Sequence, residues 1–170
     1  MKRLYKALAC RLGEKIPGLQ RIDIFNQQYV DSQSDYPLLL PTVFIEFAQV
    51  NWETMSDGIQ QGVVEIKFHV CQEIIGDTFL NGTDWEENLD LFDLFDEVHL
   101  ALQDWSPQDE DNYLATQLNR IATMFDHNHT NLLVTEMSYT ANLCDDTVNK
   151  AKNLIDINAG LNVERDGEIL

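Results

Sequence analysis

Residues 83–105 constrain this chain more than any other stretch. At about 100° per residue, Leu91, Phe92, Leu94, Phe95, Val98, Ala101, Leu102 and Trp105 fall on one half of a helical wheel, and Asp90, Asp93, Asp96, Glu97, Gln103 and Asp104 on the other. Leu89 alone breaks the division. The pattern predicts one long amphipathic helix. Thr83 followed by Glu86 has capping-box spacing, the acidic first turn suits the positive end of the helix dipole, and Ser106-Pro107 stops the helix. A stripe carrying two Phe and a Trp must be covered by an apolar layer, which the rest of the chain has to supply.

Strand-like segments supply it. Ile22, Ile24 and Phe25 open one strand; from Thr42, Val43, Ile45 and Phe47 alternate with Phe44, Glu46 and Ala48, so both faces of a second are partly apolar. Residues 61–71 alternate Val64, Ile66, Phe68 and Val70 against Glu65, Lys67 and His69, predicting a strand with one buried and one wet face, and residues 52–60 read as the polar turn of a hairpin. Residues 118–125 and 132–143 are two more strands, the latter with Met137, Tyr139, Ala141 and Leu143 on one side, joined by a turn over 126–131. Upstream, Leu4, Leu8, Leu12 and Ile16 recur every four residues, and Pro17-Gly18 ends a short N-terminal helix. The expected fold is α+β: an antiparallel or mixed sheet of about five strands, packed by the long helix and the short N-terminal one. Residues 1–146 form the domain, and 147–170, where periodicity fades, a C-terminal extension or arm.

Charge is the second constraint, because it is unevenly spread. Residues 1–21 hold six of the eleven basic residues, Lys2, Arg3, Lys6, Arg11, Lys15 and Arg21, against Glu14 alone, a net of +5. Residues 22–149 hold 24 Asp or Glu against Lys67 and Arg120, a net of −22 within a chain of net charge −18. Such a surface repels nucleic acid and attracts basic partners, including the first segment of another copy. The longest apolar run, 38–45, is too short for a membrane span, and Arg11, Glu14 and Lys15 interrupt what a secretion signal needs as an apolar run. Three cysteines without a Cys-x-x-Cys pair suit a reducing cytoplasm.

No residue pattern announces catalysis. Asp126, His127 and His129, with His69 or His99, offer metal-ligand types, yet a polar hairpin tip collects Asp, Asn and His for turn reasons alone. Residues 109–112 begin like a calcium loop but lack its later Gly and Glu. No Gly-rich phosphate loop precedes a helix, and the carboxylates of 90–97 come without a nucleophile motif. The reading is therefore non-enzymatic, with no catalytic residue, cofactor or metal.

The basic N-terminal helix, Arg21-Ile-Asp-Ile-Phe-Asn26, the proline-led strand Pro41-Thr-Val-Phe-Ile-Glu-Phe47, the strand Gly62-Val-Val-Glu-Ile-Lys-Phe-His-Val70, the helix at 86–105 and the closing hairpin together resemble the tail-terminator, or tail-completion, proteins of long-tailed bacteriophages. The resemblance spans residues 4–146 and lies in element order and strand character. It implies a virion protein, assembled in the host cytoplasm, forming a ring, usually hexameric, that caps the tail tube and joins it to the head connector at the neck. Its partners would be itself, the tail tube protein and the connector proteins, with DNA passing through an acidic channel without specific binding. Charge puts Lys2, Arg3, Lys6 and Arg11 at the expected contact between subunits. The alternative from charge alone is an acidic inhibitor or immunity-type protein that neutralises a basic nuclease or toxin.

Overall fold

The computed structural model describes residues 1–30, 38–74, 76, 78–83, 85–109, 112–129 and 131–151. Helix α1 (Lys2–Lys15) leads into strand β1 (Arg21–Ile24), followed by β2 (Thr42–Ser56) and β3 (Ile59–Glu73). Then come a single turn α2 (Trp85–Asn88), a 3₁₀ turn (Leu89–Phe92), helix α3 (Asp93–Leu102), the two-residue strands β4 (Gln108–Asp109) and β5 (Asn112–Tyr113), and the hairpin β6 (Asn119–Asp126) and β7 (Leu132–Asp145). The main sheet runs β1-β2-β3-β7-β6, with β1 parallel to β2 and every other pair antiparallel. This is the α+β architecture with a five-stranded mixed sheet that the periodicities predict.

One face of the sheet carries the core. Leu4, Leu8, Leu12 and Ile16 of the first helical segment pack with Leu94, Phe95, Val98, Ala101 and Leu102 of α3 over Val43, Ile45, Val64, Ile66, Phe68, Val70, Met137, Tyr139 and Ala141. The two helices divide this face. α1 lies beside β1, where Gly13 faces Ile22, and α3 lies towards the other end, where Phe95 meets Phe125 of β6 edge-on with ring centroids 6.0 Å apart. Burying these side chains supplies the main stabilisation, each large one contributing roughly 1.5–3 kcal/mol.

The helix expected over 83–105 is broken. Gln72 Nε2 donates to the Leu91 carbonyl at 2.6 Å, the oxygen that an uninterrupted helix would give to the Phe95 amide. The chain answers with a 3₁₀ turn, leaving Leu89 half-buried and Phe92 exposed, and α3 restarts at Asp93. Helix α3 closes at Leu102, with Asp104 in the left-handed region at φ 58°, so Trp105 lies beyond the helix. The polar turn expected over 52–60 is also much shorter. β2 and β3 continue to Ser56 and Ile59, and Asp57-Gly58, both at positive φ, make the two-residue connection. Trp52 lies across Gly62 on the paired strand, so close that a Cβ there would sit 2.6 Å from the indole ring.

Beyond β7, residues 147–151 form a helical turn held to the hairpin tip: Asn149 Nδ2 donates to the Asp57 carbonyl at 3.0 Å. The rest of the expected extension, 152–170, lies outside the described residues. No helix among them is long and apolar enough to cross a membrane.

Candidate functional site

The two margins of the sheet are built differently. At β1, Ile24 N–H donates to Asp23 Oδ1 at 2.8 Å, Asn26 N–H donates to Gln28 Oε1 at 2.6 Å, and Gln28 Nε2 donates to the Ile24 carbonyl at 2.7 Å. Side chains thus occupy the outward backbone groups of Ile24, at the end of a four-residue strand, and the amide of Asn26 just beyond it, a common guard against unwanted pairing. At β6 the strand is eight residues long and seven of them are exposed. Gln103 Oε1 accepts from Arg120 N–H; among the described residues no side chain caps the backbone of 121–125. Ile121, Met124 and Phe125 stand out to solvent along it, at 56%, 56% and 46% exposure. An open, long and apolar edge is a place where another chain binds.

Charge follows the same division of flanks. On the β1 flank, α1 presents Lys2, Lys6 and Lys15 to solvent. Of the four residues expected at a subunit contact, Arg3 is ion-paired with Asp109, and Arg11 donates from Nε to the Ala101 carbonyl at 2.9 Å while its guanidinium lies 5.3 Å from the Trp105 ring. Lys2 and Lys6 form no ion pair among the described residues. On the β6 flank, the outer face of α3 carries Asp93, Asp96 and Glu97, all exposed, with Asp90 just ahead of them.

The second face of the sheet holds a polar cluster that strand alternation alone does not reveal. His69, expected on a wet face, is 2% exposed. Its Nε2 is 2.8 Å from Glu46 Oε2, its Nδ1 is 2.7 Å from the Tyr29 hydroxyl, and Phe25 stacks on the ring at 4.1 Å. The cause is the segment after β1, which folds Phe25 and Tyr29 over Phe44 and His69, beside Cys71 and Val134. The cross-strand register places Glu136 opposite His69 and Glu46 opposite Lys67, and Lys67 Nζ reaches Glu136 Oε1 at 2.9 Å. That hydrogen bond, outweighing the opposing effect of burial and helped by the Glu136, Glu46 and Glu65 charges, raises Lys67 above the ordinary lysine range. Burial, followed by the Cys71, Asp126, Glu136 and Glu46 charges, pushes Tyr29 well above the ordinary phenol range. Glu46, His69 and Glu136 bring their ligand atoms within 4.8 Å of one another, a spacing a metal would accept. The Lys67 ammonium already sits on Glu136, and Glu46 and Tyr29 occupy both ring nitrogens, so the cluster is satisfied by its own members.

Of the Asp126, His127 and His129 group only two members meet: His129 Nε2 lies 3.5 Å from Asp126 Oδ2. Asp126 Oδ1 accepts from Asn128 N–H and Nδ2 at 2.9 and 2.6 Å, turn bonds of which the backbone one leads in lowering the Asp126 carboxyl below its usual range. His127 stacks towards Phe125, whereas His129 meets Tyr29 edge-on. His99, at the margin of the α3 core face, has Nδ1 3.1 Å from the Tyr139 hydroxyl, and burial lowers its pKa. The missed group, Glu46-His69-Glu136, had one sequence signal: three ionisable residues on strands that pair in register.

No protein-family model and no curated protein matches this chain. Its fold is similar to that of a chain in a solved structure of the virion of a native gene transfer agent particle, over 84% of this chain and 92% of that one, at 10% identity and a TM-score of 0.44.

Proposed function

We propose that this chain is a structural, non-enzymatic virion protein of the tail-terminator or neck class, assembling head to tail into a ring that caps the tail tube beneath the head connector. The observation that carries the assembly is the placement of unlike surfaces on opposite flanks. The β1 flank bears exposed lysines of α1, and the β6 flank bears the acidic face of α3 beside an open apolar edge. Contacts between unlike surfaces are heterologous, and repeated by rotation they close into a ring. The family resemblance supports the hexamer and the place in the tail. The remaining carboxylates, in a chain of net charge −18, suit a wall past which DNA slides without sticking.

Light scattering at several salt concentrations, with electron microscopy of the same samples, tests this. Closed rings that loosen as salt rises are expected, because exposed charge pairs are screened over about 8 Å at physiological salt. Replacing Lys2→Glu and Lys6→Glu shifts the population to monomer with an unchanged fold. A wild type that stays monomeric at every salt and protein concentration overturns the ring. If that monomer binds a cationic protein, the inhibitor reading takes its place.

A further inference from the structure

A groove of about 860 Å³ opens at the far end of the sheet from the polar cluster. Its walls are Met55 and Ile59 of the β2-β3 hairpin, Tyr113 and Leu114 beyond α3, and Leu143 and Cys144 near the end of β7. No Lys, Arg, His, Asp or Glu is among the described residues that line it, so it offers no charge to hold a phosphate. A groove of this size with largely apolar walls suits a peptide segment. Along one side runs an incomplete strand edge. β6 leaves β7 at the pair Asn119–Thr140, yet β7 continues against β3 as far as Asp145. On the free side, Thr116 N–H donates to the Asn142 carbonyl and Asn142 N–H to Thr116 Oγ1, both at 2.9 Å. Backbone groups point to alternate sides along a strand, so the next N–H and C=O on this side are those of Cys144. No described residue bonds them.

The surroundings of the groove carry one sign of charge. Within two residues of the lining, the described residues include Glu53, Asp57, Asp104, Asp145 and Asp146 and no Lys or Arg. Of these five, only Asp146 is ion-paired among the described residues, with Lys150 at 2.9 Å. We infer that the groove takes an extended apolar segment of another protein that carries lysine or arginine at its ends. The segment adds its backbone to β7 at Cys144 as a further strand. Its apolar side chains fill the space between Met55, Leu114 and Tyr113, and its cationic ends meet the carboxylates of the rim. Apolar burial supplies the affinity, while the uniform charge of the rim rejects acidic segments.

Fluorescence anisotropy with the native full-length protein and a labelled synthetic peptide, Lys-Lys-Val-Ser-Val-Ser-Val-Lys-Lys, tests this. Saturable binding is expected, with hydrogen exchange at the Cys144 amide slowed in the complex. The same peptide with Glu in place of every Lys binds about tenfold more weakly. A version with Pro at the central Val keeps the charge, loses a backbone donor and does not bind. Met55 and Tyr113 are 61% and 76% exposed, so the double variant Met55→Ser with Tyr113→Ser is expected to melt as the wild type does. Its loss of apolar wall weakens the lysine peptide about tenfold. The inference is overturned if the lysine peptide does not bind, or if the glutamate peptide binds as tightly. It is overturned equally if the proline peptide binds as tightly, which traces binding to charge alone, or if the serine variant keeps full affinity, which puts the peptide elsewhere on the acidic surface. None of these results depends on whether the protein forms a ring.

Discussion

The Cys71 thiol is enclosed by Phe44 and Val134, and burial pushes it up from 9.0 to about 12. Tyr139, buried under α3, is likewise pushed up to about 12 from 10.0, and Tyr29 higher still. Each of these acids holds its proton more tightly folded than unfolded. Their contribution is therefore intact below the unfolded values and is lost as pH rises through the window from about 9 towards the folded ones. Chemical unfolding at steps between pH 8 and 11 is expected to show stability falling from about pH 9, by up to about 1.4 kcal/mol per pH unit for each group titrating. Cys71→Ala should be less stable at pH 8 yet decline less steeply between 9 and 11; an equal slope would remove the thiol from the account. Burial at this level was hard to read from the sequence. His69 and Cys71 share a strand face with Glu65 and Lys67, which are only half-buried, and the segment folded back from β1 makes the difference.

Elements were legible wherever one period ran unopposed. Leu4, Leu8, Leu12 and Ile16 named α1 and its buried face, and the apolar side of β7 was fully visible. The periodicity of 89–102 named the core face of α3 as well, but not the contact from Gln72 that breaks the helix, because a side-chain bond from a distant strand leaves no local trace. The Asp57-Gly58 hairpin did have a local signature; the polar residues around it, Asn51, Glu53 and Thr54, hid it because the hairpin projects beyond the core and stays wet. Phe95, 8% exposed between the sheet and Phe125, is the test of the α3 face. Phe95→Ala should cost about 3 to 5 kcal/mol, and a thermal melt unchanged within a degree would contradict its burial. At the same margin, Ile121→Lys with Met124→Lys adds charge to the open edge of β6. We expect its melting temperature to hold while light scattering reports less self-association.

For the molecule as a whole, the charge asymmetry was plain in the sequence, but its consequences divide once the side chains are placed. Lys2 and Lys6 face solvent and should govern association. Arg11, bonded to the carbonyl end of α3 and lying over Trp105, should govern stability instead. Arg11→Glu is expected to cost about 1 to 2 kcal/mol, seen as a lowered melting temperature; a loss of assembly without that drop would return Arg11 to the contact surface.

The unequal margins of the sheet also bear on misassembly. Indefinite growth of strand on strand needs two receptive edges on every copy, one to accept and one to offer. Here Asp23 and Gln28 have already filled the outward groups at Ile24 and Asn26. Two crowded copies that join through β6 therefore turn their blocked margins outward, and the stack ends at a pair instead of lengthening into a fibre.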